Sequence, residues 1–228
     1  MTSTVLGVLS ALLWAAPSGD PEALALFQAA EAKLLAAKSL RVEGRLASTG
    51  SFESTLKVSL QTQVDRRAHF SIKGDLLGRP AQVEMRSDGK TLRWAGRAMP
   101  TPAALHHGLV ISFLRVGLLY ETITLATGVQ PEGSQGQMEG WLEVDALAWG
   151  PLETVDGVTT RRIDFDLVIG KVKSGRVELW IDVATGLPYR RSAVVDFQGT
   201  MAVSERYRLV ELDGPGPKKP GKKRPIRE

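Results

Sequence analysis

Three groups of residues in this sequence are of types that do chemistry, and their spacing decides what each can do. His106 and His107 adjoin. Neighbours on a helix point about 100° apart, so this pair cannot share one metal ion as two histidines four apart can. Both are read as surface or helix-end residues, and His69 alternates onto the polar side of a strand-like run. Asp164 and Asp166 face one way on one run, and Glu143 and Asp145 lie on a similar one. Paired carboxylates serve as general acid and base. Here they alternate with apolar residues and have arginines beside them, which is the pattern of a solvated strand face. Nothing resembles a nucleophile elbow, and the glycine loop "GKVKSG" (170–175) lacks the spacing that cradles phosphate. Cysteine is absent, which excludes disulfides, thiolate metal sites, a cysteine nucleophile and a lipidated N-terminal cysteine. No enzyme, metal or cofactor is therefore expected. Arg115 stands apart, because it interrupts an apolar run from Leu109 to Leu119. Two readings stay open: its stem is packed with the head in water, or the head bonds sheet carbonyls or the polar head of a ligand.

The elements that must position these residues follow from periodicity. The chain has 228 residues and a net charge of +4. From Gly214 onward six basic residues face only Glu228, a net +5, so the remainder sums to −1. The basic balance belongs to the tail, and no basic face on the body suggests nucleic acid. Residues 1–18 have the apolar run and small-residue end of an export leader, with a cut expected after Ser18. Asp20-Pro21-Glu22 starts a helix: a capping side chain, a proline at the first position and an acid at the positive dipole end. Ala23, Leu26, Phe27, Ala30, Leu34 and Ala37 then fall on one stripe.

After Leu40 the period becomes 2. About ten runs alternate apolar and polar, with turns at Asp88-Gly89, Asp156-Gly157 and Thr185-Gly186. One-sided strands mean an antiparallel sheet rather than a parallel one buried on both faces. Thr101-Pro102 introduces an apolar helix to about residue 120, which must be buried or covered part of the time. Residues 128–140 are expected to be a loop, 20–212 the folded domain and 213–228 a disordered basic tail.

Near the end, "WIDVATGLP" (180–188) is followed by "GTMAVSERY" (199–207). Trp180, Asp182, Thr185, Gly186, Pro188, Glu205 and Tyr207 together resemble a pattern of the periplasmic lipoprotein-carrier superfamily (LolA/LolB/LppX/RseB-like). "AEAKLLAAKSLRVEGRL" (30–46) is similar to its opening helix and first strand. The resemblance implies a mainly β, α+β fold: a strongly curved antiparallel sheet, an incomplete barrel, with helices plugging its concave face. It implies an apolar cavity for acyl chains between sheet and plug. Leu109, Phe113, Val116 and Tyr120 from the plug, Phe70, Trp94 and Phe165 from the sheet, and Arg115 at the mouth are the candidate contacts. The expected role is an exported periplasmic monomer that carries lipid or lipoprotein, its tail able to touch anionic headgroups. An envelope sensor or a ligand-free interaction domain on the same fold is the alternative, because fold alone does not fix function.

Overall fold

The computed structural model describes residues 18–94, 96–127, 138–196 and 198–214. The expected leader, apart from Ser18, and the tail beyond Gly214 lie outside the described residues, as do 128–137 of the expected loop.

Helix α1 (Pro21–Ala36) begins as its sequence dictates. The Asp20 carboxylate accepts from the amides of Glu22 (2.8 Å) and Ala23 (3.2 Å). Of its apolar stripe, Ala23, Phe27, Ala30 and Leu34 are buried. The strands β1 (Ser39–Gly50), β2 (Ser54–Gln63), β3 (Arg67–Leu76), β4 (Arg79–Asp88), β5 (Thr91–Trp94) and β6 (Arg97–Pro100) follow. Then come α2 (Leu105–Arg115), α3 (Leu118–Thr127) and α4 (Met138–Trp141). The chain closes with β7 (Leu142–Val155), β8 (Val158–Ile169), β9 (Val172–Asp182), β10 (Pro188–Asp196) and β11 (Thr200–Leu212). The strand beyond the expected ten is β6, whose four residues are too few to display an alternation.

All strands join one antiparallel sheet in the order β6-β5-β4-β3-β2-β1-β11-β10-β9-β8-β7. The sheet is open, with β6 and β7 as its edges. Part of the β7 edge is covered by Ser18–Asp20: Leu147 N donates to Ser18 O (3.0 Å) and Asp20 N to Leu147 O (2.8 Å). Ser18 also donates its amide and hydroxyl to Asp145, so processing after Ser18 would forfeit these bonds.

The sheet bends. β2 and β7 are six strands apart in its order, about 29 Å on a flat sheet at about 4.8 Å per strand. Yet α2, 11 residues and so about 16 Å long, touches both. At one end His106 Nδ1 meets Thr62 Oγ1 on β2 (3.2 Å); at the other Arg115 bonds Leu142 O on β7. Bulges in the β1–β11, β9–β10, β7–β8 and β8–β9 pairings help the strands to curve. The helices lie inside the bend, over a single apolar core shared by all the long strands.

Three expectations are corrected here. The predicted helix over 102–120 is two helices, broken at Gly117, whose φ is +87°. Nor does Thr101 cap it: Thr101 still ends the sheet, its amide donating to Lys90 O (2.9 Å) and its hydroxyl sharing a bond with Ser87 (2.8 Å). His106 is likewise not a surface residue, being buried against Thr62. His107 pairs instead with Glu139. The Thr185-Gly186 hairpin forms as read. Asp182 organises it, accepting from Ala184 N (2.9 Å) and Thr185 Oγ1 (2.7 Å), while Gly186 takes a positive φ of 65°.

Candidate functional site between the helices and the sheet

The apolar spacing of α2 puts Leu109, Val110, Phe113 and Leu114 toward the sheet, where all four are buried. The Phe113 ring stands edge-on to Tyr207 of β11, centroids 5.0 Å apart. From α1, Phe27 meets Phe165 of β8 in the same way at 5.4 Å. Tyr120 of α3 tilts against Trp141 of α4 at 5.9 Å. Of the candidate contacts, Leu109, Phe113, Val116, Phe70 and Phe165 belong to the core cluster, and Trp94 and Tyr120 pack against it. The structure thus brings seven of the eight together at one interface. Phe70 and Phe165 have 0% of their surface accessible and Phe113 1%. Among the described residues these three rings are closed off between the helices and the sheet. A groove of about 390 Å³ opens elsewhere, along β9, β10 and β11 at Lys173–Gly175 and Val194–Asp196, and no candidate contact lines it.

Arg115, the eighth, resolves its two readings. Its side chain is only 12% exposed. Nε and Nη2 bond both oxygens of Glu31 on α1 (2.7 and 3.0 Å), and Nη1 donates to the carbonyls of Glu139 (3.0 Å) and Leu142 (2.5 Å). The head is in the protein and not in water. It ties α2 to α1, α4 and β7 through a bidentate, charge-assisted pair.

Two inward charges escaped the reading of chemistry-bearing residues. Arg191 on β10 and Glu205 on β11 are directly opposite each other, each 1% exposed. The Glu205 carboxylate accepts from the amides of Leu118 (3.0 Å) and Leu119 (3.1 Å), the first of α3, and from the Tyr207 hydroxyl (2.5 Å). Arg191 donates to Arg115 O, at the last residue of α2 (3.4 Å). A buried anion therefore faces the positive end of α3 and a buried cation the negative end of α2, each opposite in sign to the dipole it meets. Burial, with the Glu205 charge second, holds the Tyr207 phenol well above its ordinary pKa. Gly117 joins the helices because nothing larger fits: an added Cβ would come within 2.5 Å of Glu205 Oε1. The signal lay in the alternation, which puts Glu205 in phase with Met201, Val203 and Tyr207, and Arg191 with Ala193.

Of the carboxylates weighed for catalysis, Asp164 and Asp166 are engaged in ion pairs on the outer face and Asp145 accepts from Ser18. Asp164 pairs with Arg162 (2.9 Å), and Asp166 with Lys173 (2.5 Å) and Arg176 (3.1 Å). Among the described residues, no group of three or more histidines or carboxylates is placed to hold a metal, and no helix is long and apolar enough to cross a membrane.

No protein-family model matches the sequence, and no curated protein matches it. Solved structures do. LprF from Mycobacterium bovis is 14% identical with a TM-score of 0.51, over 88% of this chain and 98% of that one. The lipoprotein LppX from Mycobacterium tuberculosis is 14% identical with a TM-score of 0.47, over 86% and 100%. A LolA superfamily protein from Nitrosomonas europaea is 11% identical with a TM-score of 0.36, over 88% and 96%. At 14% identity the likeness to LprF is one of fold alone: this chain shares its open, curved antiparallel sheet with helices on one face.

Proposed function

We propose that this protein is an exported, non-enzymatic carrier that shields the acyl part of a lipid or lipoprotein beneath the α2–α3 layer. One observation carries the reading. The layer is fixed by polar contacts at Arg115–Glu31 and at Glu205, while its broad contact with the sheet is apolar and undirected. Each buried Leu or Phe contributes about 1.5–3 kcal/mol, and each acyl methylene would return about 0.8 kcal/mol. A long chain lying along Phe70, Phe113 and Phe165 would therefore offset the withdrawal of several helix side chains. Such a site would select for chain length only loosely, because burial has no direction. The leader read in residues 1–18 would place the carrier outside the cytoplasm, and LprF and LppX, of similar fold, are mycobacterial proteins, LppX a lipoprotein.

Native mass spectrometry of the protein purified from its own host tests this. A lipid-sized adduct that organic extraction removes and an acyl chain restores is the expected result. A protein that carries no lipid as purified and takes up none when offered would refute the reading. A labelled lipoprotein passed from the loaded protein to acceptor vesicles would mark it as a carrier, whereas retention would mark it as a sensor.

A further inference from the structure

The strand registers assemble a feature that no stretch of the sequence displays. Arg162 on β8 is opposite Trp180 on β9, Trp180 is opposite Arg190 on β10, and Arg190 is opposite Arg206 on β11. Arg206 is opposite Arg45 on β1, Arg45 is opposite Lys57 on β2, and Lys57 is opposite Lys73 on β3. One row across seven adjacent strands thus holds six cations and a tryptophan. It spans about 29 Å at about 4.8 Å per strand. Its strand neighbours Ile163, Leu179, Leu46, Val58 and Ile72 are buried in the core, so the row is on the outer face, away from the helices.

The row is poorly neutralised. Arg162 pairs with Asp164 and Glu178, and Arg206 with Asp156. Arg45, Lys57, Lys73 and Arg190 form no ion pair with a described carboxylate. The outward residues two along include Ser204, Ala47, Thr55, Ser59 and Ser71, which are neutral. The acids two along are Glu43, paired with Arg41 and Arg208, Asp164 and Glu178, paired with Arg162, Asp182, which accepts from Ala184 N and Thr185 Oγ1 in its turn, and Asp75, which accepts from the amide of Gly78. Like charges directly opposite across strands destabilise a sheet. Four successive such pairs, Arg190 to Lys73, cost the free protein stability that a bound polyanion would restore.

The shape and surroundings of the row choose among polyanions. The sheet bends around the helices, so the row follows an arc. A flat bilayer would meet only its crest, while a flexible chain can follow all of it. Single-stranded nucleic acid needs bare aromatic platforms for its bases. The row's one aromatic offers none: Trp180 is 4% exposed, lies under the guanidinium groups of Arg162 and Arg190 (5.8 and 4.6 Å from its ring centre), and donates its N–H to Glu153. We infer that the outer face of the sheet is a docking track for a linear anionic polysaccharide, laid across the strands along Arg190, Arg206, Arg45, Lys57 and Lys73. This surface is independent of the acyl site on the opposite face.

Polygalacturonate is a suitable probe, with an oligo-dT strand and phosphatidylcholine/phosphatidylglycerol vesicles as competitors, each titrated into the full chain by calorimetry over a range of salt. Affinity for the polysaccharide should fall linearly with the logarithm of salt concentration. Replacing three cations, in Arg45→Gln/Lys57→Gln/Lys73→Gln, should weaken it by about tenfold or more and flatten that slope. The triple variant should melt no lower than the parent, since it removes repulsion and no ion pair. Neutralising the tail instead, Lys218→Gln/Lys219→Gln/Lys222→Gln/Lys223→Gln, should leave most of the affinity. Unchanged binding by the triple variant overturns the track. Tighter binding of oligo-dT or of the vesicles than of polygalacturonate overturns its occupant.

Discussion

Glu205 is the residue on which most local order converges. It caps α3 from outside the helix, holds the Tyr207 hydroxyl and faces Arg191. Removing its carboxylate leaves three buried donors, the amides of Leu118 and Leu119 and the Tyr207 hydroxyl, without their acceptor, at a cost of about 1–3 kcal/mol each. Glu205→Ala should therefore lose about 3 kcal/mol or more in urea denaturation, with Glu205→Gln in between; a loss under about 1 kcal/mol would mean that α3 is anchored by something else. His106 gives a pH dependence. Burial is the main reason its pKa is below the ordinary value; a hydrogen bond to the Ala37 backbone offsets part of this and the neighbouring His107 adds slightly to it. The unfolded chain takes up the proton near pH 6.5 and the folded chain only at lower pH. Stability from this site is thus complete above about pH 6.5, declines as pH falls from there toward the folded pKa, and then levels off. His69 shifts in the same direction, so the measurement is the difference in slope between the parent and His106→Gln. Equal slopes would show that the buried ring does not titrate as argued. The sequence displayed Glu205 as part of the closing pattern and as a phase in an alternation, and neither showed it as the anchor of α3. It could not display Arg115's partner, because Glu31 is 84 residues away.

Helices α2 and α3 form one layer with a joint, and the joint was invisible in the apolar run because hydrophobic spacing continues through it. Only Gly117, at a φ of +87°, marks it. Gly117→Ala forces a side chain into both that backbone and the Glu205 carboxylate, and should destabilise by about 2 kcal/mol or more in a denaturant titration, where an unchanged midpoint would contradict the crowding. At the other fastening, Arg115→Ala frees α2 from Glu31 and from two carbonyls. If the layer must lift for a ligand to enter, this variant should take up a fluorescent fatty acid faster in stopped-flow mixing while being less stable at equilibrium. An unchanged uptake rate would separate the fastening from entry. Phe113→Asp places a charge at the centre of the interface and should abolish acyl retention while circular dichroism stays β-rich. Parent-like retention would move the site elsewhere.

At the scale of the whole molecule, the sheet was the most legible part. One-sided alternation specifies antiparallel strands, and a single core follows from their shared apolar face. Its curvature was legible only through the resemblance, since bending depends on bulges and on a helix reaching from β2 to β7. The basic row was illegible for a different reason. Its members are scattered from residue 45 to residue 206, and only the register sets them side by side. Counting charge along the chain pointed to the tail and missed the body. The two faces of the sheet hold opposite environments, greasy within and cationic without, and the proposed acyl site depends on the first alone.

Photolabelling tests that dependence most directly. A fatty acid carrying a diazirine is irradiated with the full-length protein, and the labelled peptides are identified by mass spectrometry. Adducts are predicted on the inner wall, within the segments holding Phe70, Leu109, Phe113 and Phe165, with competition by unlabelled fatty acid. Labelling confined to outer-face or edge residues such as Val172 and Val194, with those segments unmodified, would contradict an acyl site beneath the helices.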